Sequence, residues 1–536
     1  MKMKRFLVLI ILAETLSMYA AAPSGGADRL RELAVFPAIN LKLDIGIDFR
    51  GDAWAVSDNT NPEVAISRLR EHLKEHPDDV RELLKLANLL DENNDTNAAR
   101  ACYLKVEQLC RDPAASGLGD GLALTELGEA LWKLGKNKAA QSAFRKAVLV
   151  SSNDWQCWVR LGNFLENEPF PLMFPEDLRS QIGPSPTVPA QEIWDYRPSP
   201  DALEKTEAMC KEASRCFDRA AALGPKESEV FFQRAGYMAV SNWQNCFFRH
   251  YRNDEKIESS QWPLAFFSSQ TIANLKRAAQ LSPKNYQYIS LAAYFEWFRA
   301  LIQANWPSNY TVDMLPDKTR QSIHQAMNQL EKLSRDAHKK MAAGALENLG
   351  VLNMAFGNRE AATSDFRRAI ALDPTREQSW DALLGMMVDS ASPDELVKLC
   401  KSRLKVNKSA RNHLLLAKAF AKERQWEEAT EQALTATELD TNDVVAPLML
   451  CALYIKQSAK PGNLTLAMRC FYHVMDLYKN LPTYDEKVKR WREMTLDEAI
   501  ISGLHGQPKD AKDELNSVLE HFPNDETAKE ILRALN

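Results

Sequence analysis

The sequence predicts an all-α protein built as a solenoid of stacked helical hairpins, and the first evidence is a spacing that recurs along the chain. A small residue is followed four positions on by an aromatic residue or Leu, then three on by Ala or Val, and in several copies five on by Pro. Copies of this spacing are Ala140, Phe144 and Ala147; Ala213, Phe217, Ala220 and Pro225; Ala362, Phe366, Ala369 and Pro374; Ala467, Phe471 and Val474; and Ala511, Leu515, Val518 and Pro523. A fixed period of this kind is typical of repeat arrays, in which each unit packs only on its neighbours.

The second observation is that a different apolar pattern precedes each copy. Leu346, Leu349 and Gly350 are spaced three and four apart or directly adjacent, which places them on one face of a helix with 3.6 residues per turn. The small residue at the eighth place allows a partner helix to approach closely, and a turn such as Gly357-Asn358 follows. Each unit is therefore predicted to be two helices, the second ended by Pro, which lacks the N–H needed to continue a helix.

This period and the residues that fill it resemble the tetratricopeptide repeat (TPR) family, over most of residues 61–536. The units are 80–111, 121–152 and 343–374, which match best, then 377–406, 410–441, 444–479 and 492–523, with 62–77 as a lone second helix. The resemblance implies a right-handed superhelix whose first helices line a concave wall, and it implies a peptide or protein segment as ligand.

The predicted array, residues 61–536, departs from the family pattern at three irregular insertions. They are expected near 168–204, where Pro is abundant, near 241–262 and near 305–317. Long irregular segments in a compact array are usually functional or disordered. A polar-faced helix over 525–535 is expected to cap the last apolar face.

Residues 1–22 have the pattern of an export signal, with basic residues, a short apolar stretch and a small-residue exit. The residues are Lys2, Lys4 and Arg5, then Phe6 to Leu12, then Ala20, Ala21 and Ala22. The prediction is an exported protein, periplasmic or extracellular, without a stable membrane anchor after cleavage; a buried N-terminal helix is the alternative. The apolar stretch is too short to span a bilayer comfortably.

Residues 23–60 are predicted to form an extended N-terminal segment or linker. Within it, apolar residues alternate with polar ones or Gly from Leu41 to Phe49, the period of a half-buried strand. Three interpretations stay open: pairing with an insertion, addition to another protein's sheet, or an extended path over the first helices.

Composition excludes some functions and leaves others unsupported. A net charge of -5 gives no basic excess for nucleic acid. The nine cysteines include no Cys-x-x-Cys pair, so buried free thiols are predicted, with one or two bridges left open in an oxidising compartment. No phosphate loop or nucleophile elbow occurs, and His72 and His76 lack the Glu of a His-Glu-x-x-His site. We therefore expect no enzyme, cofactor or metal.

Candidate partner-binding residues come from the expected wall and from an aromatic-rich stretch. From Phe231 to Tyr310, 18 of 80 residues are aromatic, against 9% for the whole chain. These aromatics predict either a groove or partner interface, or a thickened local core. The partner-binding set predicted from the sequence is Tyr294, Trp297, Tyr237, Trp132 and Asn163.

Family members that grip a C-terminal carboxylate use paired Lys and Asn on adjacent first helices. Here Asn88 and Asn163 occupy the Asn places, but Leu84 and Val159 stand where Lys is needed, so that clamp is not predicted.

The sequence thus favours an exported protein-interaction scaffold that binds a peptide or protein segment along the concave face. One alternative is a structural assembly subunit of a larger envelope or secretion complex, which exposed apolar residues on the convex side would favour. The other is an enzyme with a site in the insertions at 168–204 or 241–262.

Overall fold

The structure is a computed structural model. It describes residues 30–34, 36, 62–93, 95–111, 120–167, 173–174, 193, 195–253, 255–257, 261–304, 315–336, 338–387, 392–479, 481 and 484–535. All regular secondary structure in these ranges is helical, and the all-α prediction is confirmed. The predicted signal at 1–22 and the alternating stretch at 41–49 lie outside the described residues.

The chain divides into two compact units, with the division between Ser379 and Trp380. The described residues of unit 1 lie within 62–379, and those of unit 2 are 30–34, 36 and the described residues within 380–535.

Unit 1 is a succession of helices, numbered in chain order. They are α1 Pro62–Glu75, α2 Val80–Glu92, α3 Thr96–Cys110, α4 Asp120–Lys133, α5 Asn137–Val150, α6 Trp155–Asn167, α7 Pro200–Leu223, α8 Ser228–Asn253, α9 Gln261–Phe266, α10 Ser269–Leu281, α11 Tyr286–Gln303, α12 Asp317–Leu333, α13 Lys339–Ala355 and α14 Arg359–Leu372. The division between the units falls within the next helix, α15 Glu377–Met387.

Unit 2 continues with the same alternation. Its helices are α16 Pro393–Val406, α17 Ala410–Lys422, α18 Trp426–Leu439, α19 Val445–Lys456, α20 Asn463–Tyr478, α21 Tyr484–Leu504, α22 Pro508–His521 and α23 Glu526–Ala534. The last of these lies where a capping helix was expected, and it buries Ala528 and Ile531.

Each first helix packs on its second helix. The pairs are α2 with α3, α4 with α5, α6 with α7, α8 with α10, α11 with α12, α13 with α14, α17 with α18, α19 with α20, and α21 with α22. Most second helices also contact the first helix of the following pair, as α3 contacts α4 and α18 contacts α19. Both units are therefore built from the helix-turn-helix repeat that the sequence predicts.

Local sequence accounts for where the helices begin and turn. The Asp79 carboxylate accepts a hydrogen bond from the Glu82 amide and caps α2, and Ser199 caps α7 in the same way, with Pro200 in the first turn. The turn after α13 places Gly357 at a φ of +74°, a left-handed conformation that a residue without Cβ adopts at little cost.

The eighth-place glycines are required by close helix packing. A Cβ added at Gly128 would lie 2.8 Å from the Phe144 ring, and one at Gly350 would lie 2.9 Å from the Phe366 ring. The eighth-place Gly of the first helix and the recurring aromatic residue of the second thus form the contact between the two helices of a hairpin.

The prediction of an insertion near 241–262 is wrong over much of its length. Residues 241–253 belong to α8, which runs without a break from Ser228 to Asn253. Trp243 and Phe247, spaced i,i+4, are both buried and extend the apolar face of the helix. The helix therefore continues through these residues, and no insertion begins there.

Candidate partner-binding surfaces

In unit 1 the first helices of successive hairpins contact one another directly. Helix α2 contacts α4, α4 contacts α6, and α6 contacts α8. We call the surface formed by α2, α4 and α6 the first-helix wall. It is the surface on which the family resemblance places a ligand.

A row of polar side chains joins the three helices of the first-helix wall. The Asn88 side-chain amide on α2 donates to Glu129 Oε1 on α4 at 3.3 Å, and Glu129 Oε2 lies 2.8 Å from Arg160 Nη1 on α6. The Tyr103 hydroxyl on α3 donates to Asn88 Oδ1 at 2.7 Å and so fixes the side chain at one end of the row. The three helices therefore present one connected polar surface.

Two of the predicted residues lie half-buried on this wall. Among the described residues, nothing hydrogen-bonds to the side-chain amide of Asn163, whose backbone carbonyl accepts from Asn167 at 2.8 Å. Trp132 on α4 meets Phe164 edge to face, with ring centroids 5.6 Å apart. Leu84 and Val159, which stand at the Lys places of the carboxylate clamp, are both buried.

The other three predicted residues are not on an open surface, which corrects the expectation that they face solvent. The exposed fractions are 1% for Tyr294, 6% for Trp297 and 6% for Tyr237. The Tyr294 hydroxyl donates to the Asn348 carbonyl at 3.1 Å, and the Tyr237 hydroxyl donates to the Cys210 carbonyl at 3.1 Å. Burial raises the pKa of Tyr237 to about 12.

The aromatic-rich stretch forms a thickened core in the part that the structure describes. Phe267 stacks on Phe298 with centroids 5.3 Å apart and meets Phe295 edge to face at 4.8 Å. Such contacts between large rings bury more apolar area than the small residues of a regular repeat provide. Of the two interpretations left open, the core has the support of these contacts.

Sequence reasoning missed a buried ion pair in each unit. In unit 1, Arg376 Nη2 lies 3.1 Å from Glu347 Oε1, and the Ser379 hydroxyl donates to Glu347 Oε2 at 2.6 Å. In unit 2, Asp381 lies 2.5 Å from Arg403 and 2.7 Å from Arg411. The available signal was an acid within an otherwise apolar helical run, as Glu347 is in α13.

The cysteines and histidines form no reactive cluster in the described ranges. All nine cysteines are free, and burial raises the pKa of Cys210 and of Cys400 to about 12, which keeps both thiols protonated. His72 Nε2 lies 3.2 Å from Asp79 Oδ2. The described residues contain no group of three or more His, Cys, Asp or Glu side chains placed to hold a metal ion. Every helix in the described ranges is too short or too polar to span a membrane.

The hairpin pairs and the first-helix wall define the class of the protein, an all-α helical-repeat protein of the kind used for protein interaction. The family model of the tetratricopeptide repeat matches residues 123–154 and 343–376, and the chain contains tetratricopeptide repeats at these two places. No curated protein matches the chain.

Solved structures of TPR and related proteins align with the chain at low identity. Yeast Tom70 is 14% identical over 85% of this chain and 94% of its own, with a TM-score of 0.31. A tetratricopeptide repeat protein from Parabacteroides merdae is 14% identical over 55% of this chain and 98% of its own, with a TM-score of 0.31. YrrB, described as a TPR protein with an unusual peptide-binding site, is 16% identical over 38% of this chain and 96% of its own, with a TM-score of 0.28.

Proposed function

We propose that this protein is an exported scaffold that binds a peptide or protein segment along the first-helix wall of unit 1. The tetratricopeptide repeat is a protein-interaction architecture in general, which supports the class of function. The observation that carries the specific proposal is the connected row from Asn88 through Glu129 to Arg160, beside the uncommitted amide of Asn163.

The chemistry of this wall fits a polypeptide ligand. A side-chain amide such as Asn163 both donates and accepts, so it can pair with the N–H and C=O groups of a peptide backbone. Trp132 offers a large rigid surface that loses little conformational entropy on binding. Because the polar row already fixes three helices, a ligand meets a surface that needs little further ordering.

The experiment is site-specific photo-crosslinking in the native host. A photoreactive amino acid replaces Asn163 on the wall in one variant and Ser142, exposed on α5, in the matched control. We expect a distinct crosslinked partner from position 163 that is absent from position 142 and is reduced by Trp132→Ala. The same products from both positions, or none from position 163, would contradict the wall as the binding surface.

Export rests on the sequence of residues 1–22, and its test is separate. We expect the chain isolated from its host to have lost those residues, measured by intact mass, and to fractionate with periplasmic or secreted proteins. A full-length chain retained with the cytosolic fraction would remove export from the proposal and leave the binding surface unaffected.

The proposed role includes no catalysis and no nucleic-acid partner. Tetratricopeptide repeat proteins are in general non-catalytic scaffolds, and the net charge of -5 provides no phosphate-binding excess.

A specific observation favours assembly as a second candidate function. The exposed large apolar side chains of the described residues all lie on second helices of the hairpins. They are Leu104, Leu149, Val150, Val406, Leu434, Leu439, Tyr472 and Met475. We expect a molar mass that rises with concentration in light scattering if these second-helix side chains mediate assembly, and a smaller rise for the double variant Tyr472→Ser with Met475→Ser. A constant monomer mass would remove this candidate.

A further inference from the structure

A short N-terminal segment packs on unit 2, and it is far in sequence from the helices that it contacts. Leu30 to Ala34 form a helical turn, in which the Leu33 amide donates to the Leu30 carbonyl at 3.1 Å. Leu30 is 4% exposed and Ala34 is 6% exposed, and both belong to the apolar core cluster built by α19 to α23. Leu33 and Phe36 pack against the same cluster and remain partly exposed.

The surface under this segment is made by the C-terminal ends of two first helices and by neighbouring residues. We call it the unit 2 groove and define it by Arg424, Lys456, Ser458, Gly503 and Leu535. A Cβ added at Gly503 would lie 3.1 Å from Leu30 Cδ1 and 2.6 Å from Leu535 Cδ2. Glycine at this place in α21 therefore leaves the space that the Leu30 side chain occupies.

Polar contacts flank the apolar seat. Arg31 Nε donates to the Ser458 hydroxyl at 2.9 Å, and the Lys456 ammonium donates to the main-chain carbonyl of Glu32. Arg424 Nη2 lies 3.7 Å from the Glu32 carboxylate. Lys456 also lies over the Phe36 ring, 5.8 Å from its centroid.

These contacts have the composition of a bound peptide: a short helical turn, apolar anchors in a groove, and a basic rim that pairs with an acid. We propose that the unit 2 groove is a docking site for a helical turn of this chemistry, and that residues 30–34 together with Phe36 are its internal ligand. The matching partner segment has Leu at the first and fourth places, an acid at the third, a small residue at the fifth and Phe at the seventh. This inference concerns a second site and does not depend on the first-helix wall.

An internal ligand lowers the apparent affinity of any external one. Because residues 30–36 are tethered to the groove, they compete at a high effective concentration set by the intervening chain. A partner segment then binds well only when it outcompetes the tethered segment or when the segment is released.

The direct test uses the full chain and a fluorescent peptide with the sequence of residues 28–38. The released variant carries Leu30→Asp and Phe36→Ala, which remove one buried anchor and the aromatic contact. We expect fluorescence anisotropy to give at least tenfold tighter peptide binding to the released variant than to the unaltered chain. Adding Gly503→Trp to the released variant should abolish binding, and the peptide with Leu30→Asp should bind neither chain.

Two outcomes would overturn the proposal. Equal affinity for the unaltered and released chains would mean that the segment does not compete for the groove. Failure of the peptide to bind a folded released variant would mean that the segment is an ordinary part of the core of unit 2.

A second measurement keeps the proposal testable if the released variant does not fold. The unaltered full chain is titrated with the isotopically heavy peptide while the amide exchange of its own Leu33 and Ala34 is followed. We expect exchange at these amides to accelerate with peptide concentration and to stay unchanged with the Leu30→Asp peptide. No acceleration at any peptide concentration would overturn the proposal.

Discussion

The first-helix wall of unit 1 and the unit 2 groove show how one repeat architecture produces two different surfaces. On the wall, Asn88 and Glu129 link neighbouring first helices through polar contacts, and Asn163 stays half-buried with its amide uncommitted. At the groove, Gly503 and Lys456 receive an apolar turn of the chain itself. The repeat therefore fixes the scaffold, whereas a few positions on or next to the first helices decide which chemistry the surface accepts.

Both surfaces depend on hairpin packing, and the largest expected effect comes from breaking one hairpin. Phe366→Ala removes a fully buried ring beside Gly350 and should destabilise unit 1 by about 3–5 kcal/mol. The measurement is amide exchange read separately on peptides from each unit, with exposed Tyr472→Ala as the control. We expect faster amide exchange within unit 1 and an unchanged exchange rate at the Leu33 amide of unit 2. A change of under about 1 kcal/mol would contradict this packing.

The next effect concerns the buried acid of unit 1. Glu347→Gln leaves Arg376 buried without its counter-charge, and losing one partner of such a pair costs about 3 kcal/mol. The exposed pair of Lys529 with Glu526 supplies the control, Glu526→Gln, which should change stability very little. Chemical denaturation, monitored by amide exchange in each unit, gives the change in unfolding free energy for each variant. Equal effects of both variants would mean that the Glu347 pair is solvated.

A smaller effect is the pH dependence of docking in the unit 2 groove, which comes from Lys456. Burial lowers the pKa of Lys456 to about 8, opposed by Asp497 and Glu32 and reinforced by Arg424. If release of the segment restores the ordinary value of 10.5, the docked state binds fewer protons between pH 8 and 10.5. Docking should therefore strengthen as pH rises through that window and stay constant below it.

The 28–38 peptide and the released variant measure this pH dependence. With these pKa values we expect roughly a fortyfold gain in affinity from pH 8 to 10, and a flat profile when Lys456→Met is added. A profile that is flat without that substitution would show that the ammonium is not buried by the segment.

The smallest effect concerns the half-buried carboxylate of Glu514 in unit 2. Burial, with the neighbouring charges of Glu498, Asp510 and Asp513, raises the pKa of Glu514 to about 7, while Ser502 donates to one of its oxygens. The native chain then holds a proton that the unfolded chain releases, so this contribution to stability falls as pH rises from 4.5 to about 7.

Glu514→Gln removes that penalty. Because the side chain is partly solvated, we expect a gain of only about 1 kcal/mol at pH 8 and none at pH 4. Thermal unfolding at the two pH values measures it, with Glu520→Gln as an exposed control. Equal changes at both pH values would contradict the raised pKa.

Much of the fold could be predicted because its contacts are local and periodic. The spacing from Ala362 to Phe366, with Gly350 before it, encodes a contact between adjacent helices that the structure contains. The aromatic-rich stretch left open whether Tyr294 and Trp297 line a groove or fill a core, because composition shows that extra rings are present but not which surfaces they pack against.

The docked segment could not be predicted either. Leu30 and Gly503 are far apart in sequence, and neither belongs to the recurring spacing of small, aromatic and small residues. The ion pair of Arg376 with Glu347 has a similar origin, since it joins a first helix to the turn that follows its second helix. Contacts of this kind become visible only once the helices are placed in space.

Amide exchange tests most directly whether the first-helix wall binds a protein partner. It is measured on the full chain with and without the partner identified by crosslinking from position 163. We expect new protection in α4 and α6, on peptides containing Trp132 and Asn163, with α20 unchanged. Protection confined to the second helices, including Tyr472 and Met475, would contradict this and assign binding to the second helices.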